Sequence, residues 1–588
     1  MEYMPGEITS ICRLPGTRRW GVFRNPKEFL SASTATEVPE ILEHIEKRTS
    51  EGYYAAGFVS FESSTAFDSA LKVKICNGFP YCWFALFKRK PTTFHPKLDI
   101  PLPSTIEMSP ETTMREYIDS VTQIKTLIYE GDTYQVNYTF RFHAGRISDP
   151  LALFHYFFRV HNVPYTAYFD TGDFQVVSVS PELFIERNTH TIMTRPMKGT
   201  AKRKLSFAAD RETLKDLRLD MKNRAENVMI TDMMRNDLGK ICHHGSVKTT
   251  ELFNVETYPT VHQMTSEVRG TLLDGTGMRD IFRACFPASS ITGAPKVRTV
   301  QIIDSLEKSP RKIYTGTAGC FMPGGDFCLN VAIRTLICEK DRTEIGVGSG
   351  IVADSVPEEE WSETILKSDF VNYRPPEFDV IETILWERIS GFKFLREHLA
   401  RMRNSQKYFC RPWKRAAVLE CIDGISFQED AEFARVRLQI LQDGQAICEV
   451  RKLDHMGWNR DILRLTISQS IRFSDDVFLY HKTTVRDSYD REHMNALSAG
   501  FDEVIFLNER DEVTEGAISS IFIQYGGKWL TPKLDCGLLP GIWRAKMIKD
   551  LDADESVFGL HELASAARII VGNSVRGTCD ALLVPGVG

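Results

Sequence analysis

The sequence has no pair of cysteines spaced as C-x-x-C, and its 13 cysteines occur singly along 588 residues. An odd number of scattered cysteines is a poor disulfide framework and a poor zinc site, so we expect a reducing, cytoplasmic location. The longest strongly apolar run, Tyr81 to Phe87, is far too short to cross a bilayer. The first residues also lack the apolar segment of a signal peptide. We therefore expect a soluble protein with no membrane partner.

An excess of charge of one sign is also absent. The chain carries 78 acidic residues against 72 lysines and arginines, and this balance gives no sign of a nucleic-acid partner. Hydrophobic residues make up 43% of the chain and charged residues 26%, as in ordinary globular proteins. Because the chain has 588 residues and no short repeat or low-complexity tract, we expect more than one domain.

Two adjacent prolines mark the clearest domain boundary. The stretch Asn372-Tyr373-Arg374-Pro375-Pro376 cannot continue a helix and stiffens a connector. We predict an N-terminal part (1–110), a catalytic part (111–370), a linker (371–378) and a second domain (379–588). Both halves mix helical and strand-like stretches without regular βαβ alternation, which favours the α+β class.

Hydrophobic spacing and flanking residues predict several individual elements. Helices are expected over 114–130, with Gly131 as the stop, over 211–237 as one or two helices, over 295–306 with Pro295 in the first turn, and over 398–409. Strands are expected over 176–180, 191–194, 329–337, 344–352, 380–385, 503–507 and 518–524.

The first segment contains a series of sequence blocks in a fixed order. They are GDTYQVN (131–137), SVSPELF (178–184), PMKGT (196–200), AENVMITDMMRNDLG (225–239), SSITGAPKVR (289–298), AIRT (332–335) and GSGIVADSVPEEEWSET (348–364). With these blocks, residues 114–369 resemble component I of the aminodeoxychorismate synthases. That group lies within the chorismate-binding family, which includes anthranilate and isochorismate synthases. The resemblance implies large antiparallel sheets flanked by helices, and chorismate as the substrate.

Carboxylates from two distant segments provide the hard oxygen ligands that Mg²⁺ prefers. Glu226 lies in a helical stretch, and Glu360 and Glu363 lie one helical turn apart in a second acidic stretch. In the resembling family, the positions matching Glu226 and Glu363 hold Mg²⁺ against the chorismate carboxylate, and Glu360 is a further candidate. The alternative is a solvated acidic helix end.

Other positions would hold the two carboxylates of the substrate. Arg334 offers a planar fork of donors, Lys296 a point charge near a helix start, and glycines let backbone amides approach closely. Without the family blocks, Arg334 is better explained by a surface ion pair and a buried histidine by the core. The predicted substrate contacts are His262, Thr292, Lys296, Arg334, Gly348 and Gly350.

Loss of the 4-hydroxyl of chorismate needs a proton donor, and Glu182 matches the general acid of the family. Gln135 matches a position where isochorismate synthases carry a lysine that activates water, so glutamine implies ammonia as the nucleophile. Lys198 matches a lysine of the aminodeoxychorismate synthases, where anthranilate synthases carry a small residue. The resemblance implies that Lys198 forms a covalent bond with the substrate. The alternative is a solvated surface lysine.

No glutaminase signature is present, neither a nucleophile-elbow cysteine nor a downstream His-x-Glu. We therefore expect ammonia to come from a separate glutamine amidotransferase subunit, or to be used free.

The second segment contains a different set of blocks. They are EHLARM (397–402), HKTTVR (481–486), DEVIFLN (502–508), TEGAISSIF (514–522), CGLLPGIWR (536–544) and NSVRG (573–577). With them, residues 378–588 resemble 4-amino-4-deoxychorismate lyase, in the two-part α/β fold of class IV pyridoxal-phosphate aminotransferases. A homodimer through this domain is a further expectation.

Pyridoxal phosphate needs an amine, an acid group at the pyridine nitrogen and an anion cradle. The resemblance assigns the amine to Lys482 and the acid group to Glu515, although Val513 to Gly516 would also suit a hairpin turn. Thr383 matches a threonine on the substrate side of the lyases. The expected phosphate cradle consists of Arg401, Gly541, Ile542 and Ser574.

Together the two resemblances predict a bifunctional enzyme of 4-aminobenzoate synthesis, with Mg²⁺ and pyridoxal phosphate as cofactors. One alternative is an anthranilate synthase component joined to an aminotransferase. Another is an active synthase joined to an inactive scaffold domain.

Overall fold

A computed structural model describes residues 9–97, 100 and 103–584. The first eight residues, which carry most of the stretch examined for a signal peptide, lie outside the described residues. Contacts between Cα atoms divide the chain into two units. The first unit contains Met1–Lys202 and Lys215–Pro375, and the second contains Arg203–Leu214 and Pro376–Gly588.

Strands and helices alternate irregularly through the first 375 residues. The strands are β1 (Thr9–Arg13), β2 (Trp20–Arg24), β3 (Glu28–Ala32), β4 (Tyr54–Val59), β5 (Cys82–Phe87), β6 (Thr92–Thr93), β7 (Met108–Pro110), β8 (Gln135–Gly145), β9 (Tyr165–Asp170), β10 (Gln175–Ser180), β11 (Leu183–Asn188), β12 (Thr191–Arg195), β13 (Met197–Lys202), β14 (Lys248–Thr257), β15 (Val261–Thr271), β16 (Gly293–Ala294), β17 (Thr317–Phe321), β18 (Phe327–Val331), β19 (Thr335–Cys338) and β20 (Arg342–Ile351). The helices are α1 (Val38–Ser50), α2 (Met114–Tyr129), α3 (Pro150–His161), α4 (Phe207–Leu219), α5 (Met221–Gly239), α6 (Met278–Cys285), α7 (Lys296–Leu306) and α8 (Pro357–Ser368).

The strands of the first unit form two ten-stranded antiparallel sheets. The first sheet has the order β16-β8-β20-β19-β10-β9-β1-β2-β6, with β7 added beside β8. The second has the order β13-β15-β12-β11-β18-β17-β4-β5-β3, with β14 added beside β15. Each sheet draws strands from both ends of the unit, so the first hundred residues are part of the same sheets as the sequence blocks.

Alternating side chains bury both faces of the first sheet. In β10, Val176 packs against Phe58 of the second sheet, whereas Val177 and Val179 belong to a separate core with Phe154 of α3. Successive residues of a strand point to opposite faces, so consecutive valines pack into two different cores. The outer face of the second sheet packs on α1, α5 and α6 through a third core.

Helix α2 shows why its sequence forms a helix. Thr113 caps it: the Glu116 amide donates to the Thr113 hydroxyl, and Glu116 accepts from the Thr113 amide. Tyr117, Val121 and Ile124 form its buried stripe, with the spacing of an amphipathic helix. The prediction of a helix from Met114 that stops at Gly131 is confirmed.

Most of the other predicted elements of this unit are also confirmed. Two helices, α4 and α5, occupy 207–239, and the strands predicted over 176–180, 191–194 and 344–352 are β10, β12 and β20. Pro295 precedes α7 as its N-cap rather than lying in the first turn. The single strand predicted over 329–337 is wrong. β18 and β19 belong to different sheets, and Arg334 between them has a φ of 49°.

The second unit contains twelve strands and five helices among its described residues after Pro376. The strands are β21 (Val380–Glu387), β22 (Gly391–Phe392), β23 (Phe433–Ile440), β24 (Ala446–Leu453), β25 (Ile462–Ile467), β26 (Glu503–Leu507), β27 (Val513–Gly516), β28 (Ser520–Tyr525), β29 (Lys528–Pro532), β30 (Asp554–Ser556), β31 (Arg568–Asn573) and β32 (Gly577–Leu583). The helices are α9 (Leu395–Tyr408), α10 (Arg415–Asp423), α11 (Asp487–Ser498), α12 (Ile542–Asp550) and α13 (Leu560–Ala564).

These strands form one antiparallel sheet and one mixed sheet. The four-stranded sheet β22-β21-β23-β24 packs on α9 and α10 through Val380, Leu438 and Met402. The eight-stranded sheet β27-β26-β25-β32-β31-β28-β29-β30 contains parallel pairs on both sides of β25. The prediction of a smaller, two-part domain after the antiparallel sheets is confirmed, as is the α+β class of the whole chain.

Within the described part of the chain, no helix combines the length and the apolarity that crossing a membrane requires. All 13 cysteines are free thiols, and most of them are buried.

Candidate active sites

The first unit contains a cavity of about 530 Å³, to which both sheets and helices α5 and α8 contribute. The start of β8, the strand β13 and the glycine-rich end of β20 form parts of its wall. The wall includes these predicted site residues: Gln135, Glu182, Lys198, Glu226, Arg334, Gly348, Gly350, Glu360 and Glu363.

Lys198 projects from β13 toward α5 and β20. Its Nζ lies 3.3 Å from Oε2 of Glu226, and both side chains are about one-fifth exposed. A Cβ at position 350 would lie 3.1 Å from this Nζ and 3.2 Å from Nε2 of Gln135. A larger residue at Gly350 would therefore crowd both side chains, so the glycine keeps the space in front of the amine open.

The backbone that carries Lys198 is fixed by α5. Asn227 Nδ2 donates to the carbonyl of Lys198 over 3.1 Å, and its Oδ1 accepts from Ser266 on β15. These hydrogen bonds connect β13 to α5, so they fix the backbone positions from which Lys198 and Glu226 extend.

Glu182 is a buried carboxyl group at the cavity wall. Burial raises its pKa to about 7, although Ser290 Oγ donates to Oε1 over 2.7 Å and the backbone of Met197 also favours the ionised form. The nearby charge of Lys198 lowers the pKa further but does not offset the burial. A carboxyl group with this pKa is substantially protonated at neutral pH and can donate a proton there.

Gln135 has an unpaired amide. Its side chain is 1% exposed, and neither its oxygen nor its nitrogen has a hydrogen-bond partner among the described residues. A buried amide without partners costs free energy, so this group is suited to bind a polar atom in the cavity.

Arg334 presents an unpaired guanidinium. The residue lies between β18 and β19, and burial lowers its pKa while Tyr258 acts in the opposite direction. It makes no ion pair or side-chain hydrogen bond with any residue the structure describes. A desolvated guanidinium of this kind favours a carboxylate, which it can bind with two parallel hydrogen bonds.

Three carboxylates of the cavity wall were predicted as magnesium ligands. Glu226 comes from α5, and Glu360 and Glu363 come from α8. Ser355 Oγ donates to Glu360 over 2.7 Å, and Lys367 Nζ lies 2.8 Å from Glu363. Burial acts to raise the pKa of Glu363, but Lys367 and Lys198 outweigh it and the pKa lies below its usual value.

These carboxylates fit Mg²⁺ by the chemistry of their oxygen donors. Two hard oxygen donors from separate helices face one cavity, and Mg²⁺ usually takes few protein ligands and keeps water or substrate oxygens. A preformed cluster of three or more potential ligand side chains is not found among the described residues. Lys198 and Lys367 already neutralise part of the negative charge.

Three predicted substrate contacts lie outside the cavity wall. Lys296 Nζ is 3.2 Å from Oδ2 of Asp237, and the hydroxyl of Thr292 donates to the carbonyls of Ala288 and Ser289. His262 is buried on β15 and contacts Thr257 through Nδ1. All three have partners within the fold.

Ser290 is a wall residue that sequence reasoning missed. It lies in the block SSITGAPKVR, so the signal was present, but a serine before a turn has no distinctive spacing. The lysines Lys222 and Lys367 also line the cavity and add positive charge to it.

The second unit contains a cavity of about 270 Å³. Its wall includes all the predicted residues of this unit, namely Thr383, Arg401, Lys482, Glu515, Gly541, Ile542 and Ser574. The cavity lies where β21, β23 and the segments before α11 and α12 come together.

Lys482 is a half-buried amine on the cavity wall. Burial lowers its pKa to about 7, and the charges of Arg486 and Arg401 lower it further, against Glu382 and Glu515. Its carbonyl accepts from the amide of Ile381, which ties the lysine to β21. An amine with this pKa is about half neutral near pH 7, and its neutral form can act as a nucleophile.

Glu515 is the buried acid group of the same cavity. Burial raises its pKa to about 7, and the hydroxyl of Tyr489 donates to Oε1 over 2.9 Å. The residue lies in β27 rather than in a hairpin turn. A carboxyl group opposite a basic amine is the pair that the pyridine nitrogen and the aldehyde of pyridoxal phosphate require.

Arg401 is held in a fixed position by Glu382. Its Nε and Nη2 donate to the two carboxylate oxygens, each over 2.8 Å, and His398 Nδ1 lies 2.7 Å from Oε2. Burial acts to raise the pKa of Glu382, but Arg401 lowers it to about 2, so the pair stays ionised. Arg401 is thereby oriented as a positive wall of the cavity.

The residues expected to hold the phosphate fit that group. Gly541 is the N-cap of α12, and a Cβ there would lie 2.9 Å from Ser520 Oγ, so a larger residue would require that hydroxyl to move. Ile542 begins the helix, whose free amides attract anions. Ser574 follows β31, where Asn573 Oδ1 accepts from the amides of Val575 and Arg576.

Comparison with known proteins supports the family resemblances of both halves of the chain. Residues 15–372 match the family described as chorismate binding enzyme, and residues 379–581 match amino-transferase class IV. The predicted resemblance of the two halves to these families is confirmed.

Individual relatives match the first half. Aminodeoxychorismate synthase component 1 of Salmonella typhimurium is 41% identical over 252 residues, which is 43% of this chain and 56% of that protein. Anthranilate synthase component 1 3 of Haloarcula marismortui is 40% identical over 252 residues, 43% of this chain and 50% of that protein. The chain thus spans about half the length of these two relatives.

The fold of the first half also matches a solved structure. The crystal structure of anthranilate synthase component I from Streptococcus pneumoniae TIGR4 covers 63% of this chain and 94% of its own, with a TM-score of 0.51 and 25% identity. The sequence identities to the two kinds of synthase are nearly equal, at 41% and 40%.

Proposed function

We propose that this chain, which belongs to the chorismate binding enzyme family, makes 4-aminobenzoate in two steps. The first unit replaces the 4-hydroxyl of chorismate with an amino group. The second unit eliminates pyruvate from the resulting 4-amino-4-deoxychorismate. One observation carries the proposal. The Lys198 amine lies 3.3 Å from Glu226, and the same cavity contains Glu182, whose pKa is raised to about 7.

The lysine and the acid together support a double displacement. Lys198 Nζ, as a free amine, adds at C2 of the ring while the double bonds shift and the C4–O bond breaks. Glu182 gives its proton to the departing hydroxyl, which leaves as water. Ammonia then adds at C4, the double bonds shift back, and the C2–N bond to Lys198 breaks. Gln135 provides unpaired polar atoms that can orient the incoming ammonia.

Binding of chorismate would use charges of opposite sign on the same wall. Arg334 takes one carboxylate with its unpaired fork, and the amides near Gly348 and Gly350 approach the substrate closely. Glu226 and Glu363 would hold Mg²⁺, with Glu360 as a further ligand. When bound, the metal neutralises and orients a substrate carboxylate.

The second cavity supports elimination on pyridoxal phosphate. Lys482 would bind the cofactor through its amine, and Glu515 would face the pyridine nitrogen. Arg401, Ser574 and the amides at the start of α12 would hold the phosphate. When bound, the cofactor would supply an electron sink for loss of a substrate proton. Lys482 can move that proton, and Thr383 faces the substrate.

We further propose that ammonia comes from a separate glutamine amidotransferase, and that the chain works in the cytoplasm. The Salmonella relative is a component 1, which by its name is one part of a larger synthase. The predicted domain limits and a homodimer through the second domain belong to the same proposal.

Product identification tests the proposal. Purified chain is incubated with chorismate and ammonia, with and without pyridoxal phosphate, and the products are separated. We expect 4-amino-4-deoxychorismate without the cofactor, and 4-aminobenzoate plus pyruvate with it. Anthranilate as the main product would instead support the second candidate, an anthranilate synthase joined to an aminotransferase, which the similarity to the Haloarcula protein favours. Formation of the 4-amino intermediate without pyruvate release would support an inactive scaffold.

A further inference from the structure

Three arginines on the wall of the second cavity have no role in the proposed function. Arg435 and Arg437 lie two residues apart on β23, and Arg576 lies in the loop after β31. We call these residues the arginine triad. The intervening Val436 and the next residue, Leu438, are fully buried, so strand alternation turns both arginines to the cavity side.

The triad has no internal partners. None of the three guanidinium groups forms an ion pair or a side-chain hydrogen bond with another described residue, and Arg576 only stacks over Trp458. Burial lowers the pKa of Arg435, as do the charges of Arg451, Arg576 and Arg437, while Glu449 opposes them. Neighbouring positive charges repel one another, so an arrangement of this kind favours an anionic ligand.

The triad lies beside the predicted substrate side of the cavity. Arg437 pairs directly with Thr383 across β21 and β23, and Ile381, two residues earlier on β21, donates to the carbonyl of Lys482. The other arginines of the wall are already engaged. Arg401 is held by Glu382, and Arg486 donates to the carbonyl of Ala517.

We propose that the arginine triad is a dicarboxylate subsite, which selects amines carrying two carboxylates over those carrying one. The identity of the amine rests on the proposed function, since 4-amino-4-deoxychorismate has one carboxylate on its ring and one on its ether side chain. The planar forks of Arg435 and Arg437 bind one carboxylate, and Arg576 binds the other from the facing loop.

Binding of a stable mimic tests the subsite. The probe is 3-(carboxymethoxy)benzoate, which has a ring carboxylate and an ether-linked carboxylate, and 3-methoxybenzoate is its monoanionic counterpart. Both are titrated calorimetrically into full-length, cofactor-loaded chain that carries Arg334→Gln, which weakens binding in the first cavity. Arg435→Gln, Arg437→Gln and Arg576→Gln are compared with Arg403→Gln, an exposed arginine of α9 outside the cavity.

We expect each triad substitution to weaken the dianion about 10- to 100-fold, as for a lost hydrogen bond to a charged group. The monoanion should change much less, and Arg403→Gln should change neither. Arg437→Lys should restore part of the affinity, because it keeps the charge without the fork. Equal losses for both probes, or no binding of the dianion, would overturn the subsite.

A parallel assay of pyruvate release from 4-amino-4-deoxychorismate separates the two proposals. Unchanged KM values in all three triad variants would overturn the subsite while leaving the lyase function intact. Triad-dependent binding of the dianion without any pyruvate release would support the subsite and contradict the lyase function.

Discussion

Removal of the Ser290 hydroxyl should move the pH profile of chorismate amination to higher pH. Ser290 Oγ donates to Oε1 of Glu182 over 2.7 Å, and this hydrogen bond favours the ionised carboxylate. Burial nevertheless raises the pKa of Glu182 to about 7. Without the hydroxyl only burial and weaker contacts remain, so the pKa rises further.

The size of the shift follows from the hydrogen bond. A hydrogen bond to a charged group contributes about 1.5 kcal/mol at the low end, which corresponds to about one pKa unit. A general acid works only when protonated, so the rate falls as pH rises through its pKa. The falling limb should therefore move from about pH 7 to about pH 8 in Ser290→Ala, a shift of the same one unit.

The assay measures initial rates of 4-amino-4-deoxychorismate formation across the pH range. The concentration of neutral ammonia is held constant, because its protonation would otherwise impose a limb of its own. Ser289→Ala is the matched control, since the neighbouring hydroxyl is directed at Asp237 over 3.4 Å. Glu182→Gln should remove the limb together with most activity. An unchanged midpoint in Ser290→Ala, or an equal shift in Ser289→Ala, would refute the assignment of Glu182 as the acid.

Three further predictions concern the other charged groups. Lys198→Ala should lose most amination while the fold is kept, and product analysis checks for diverted anthranilate; an unchanged rate would remove the covalent step from the mechanism. Glu226→Gln should raise the KM for chorismate and weaken its dependence on added Mg²⁺, and an unchanged magnesium titration would contradict the metal assignment. The rate at which pyridoxal phosphate binds, measured by its visible absorbance, should increase as pH rises through about 7. Burial lowers the pKa of Lys482 to that value, and the neutral amine is the form that reacts. A midpoint near that of an ordinary lysine would contradict this reasoning, and Lys482→Ala should abolish the lysine-linked absorbance band.

Periodic burial made much of the fold predictable. The helix α2 and the strand β10 have regular apolar spacing, and each has the predicted type and position. The break between β18 and β19 could not be predicted from apolar spacing, because both flanking strands are apolar and no glycine or proline separates them. The positive φ of Arg334 is imposed by the passage from one sheet to the other, which is a tertiary effect.

The sequence blocks identified segments of the first cavity rather than individual wall residues. The block at 289–298 contributes Ser290 to the cavity wall, whereas Lys296 of the same block contacts Asp237 and Thr292 donates to the carbonyl of Ala288. A motif identifies a segment without showing which of its side chains face the cavity. Arg435 and Arg437 could not be singled out at all, since alternating arginines on a strand also suit a solvated sheet face.

Burial serves opposite purposes in the two cavities. In the first it disfavours the charged form of Glu182 and keeps a proton available, and in the second it disfavours the charged form of Lys482 and keeps an amine free. Lys198 is in a different situation, because it is about one-fifth exposed and its Nζ lies 3.3 Å from Oε2 of Glu226. The same carboxylate is the proposed metal ligand, so it has two competing partners.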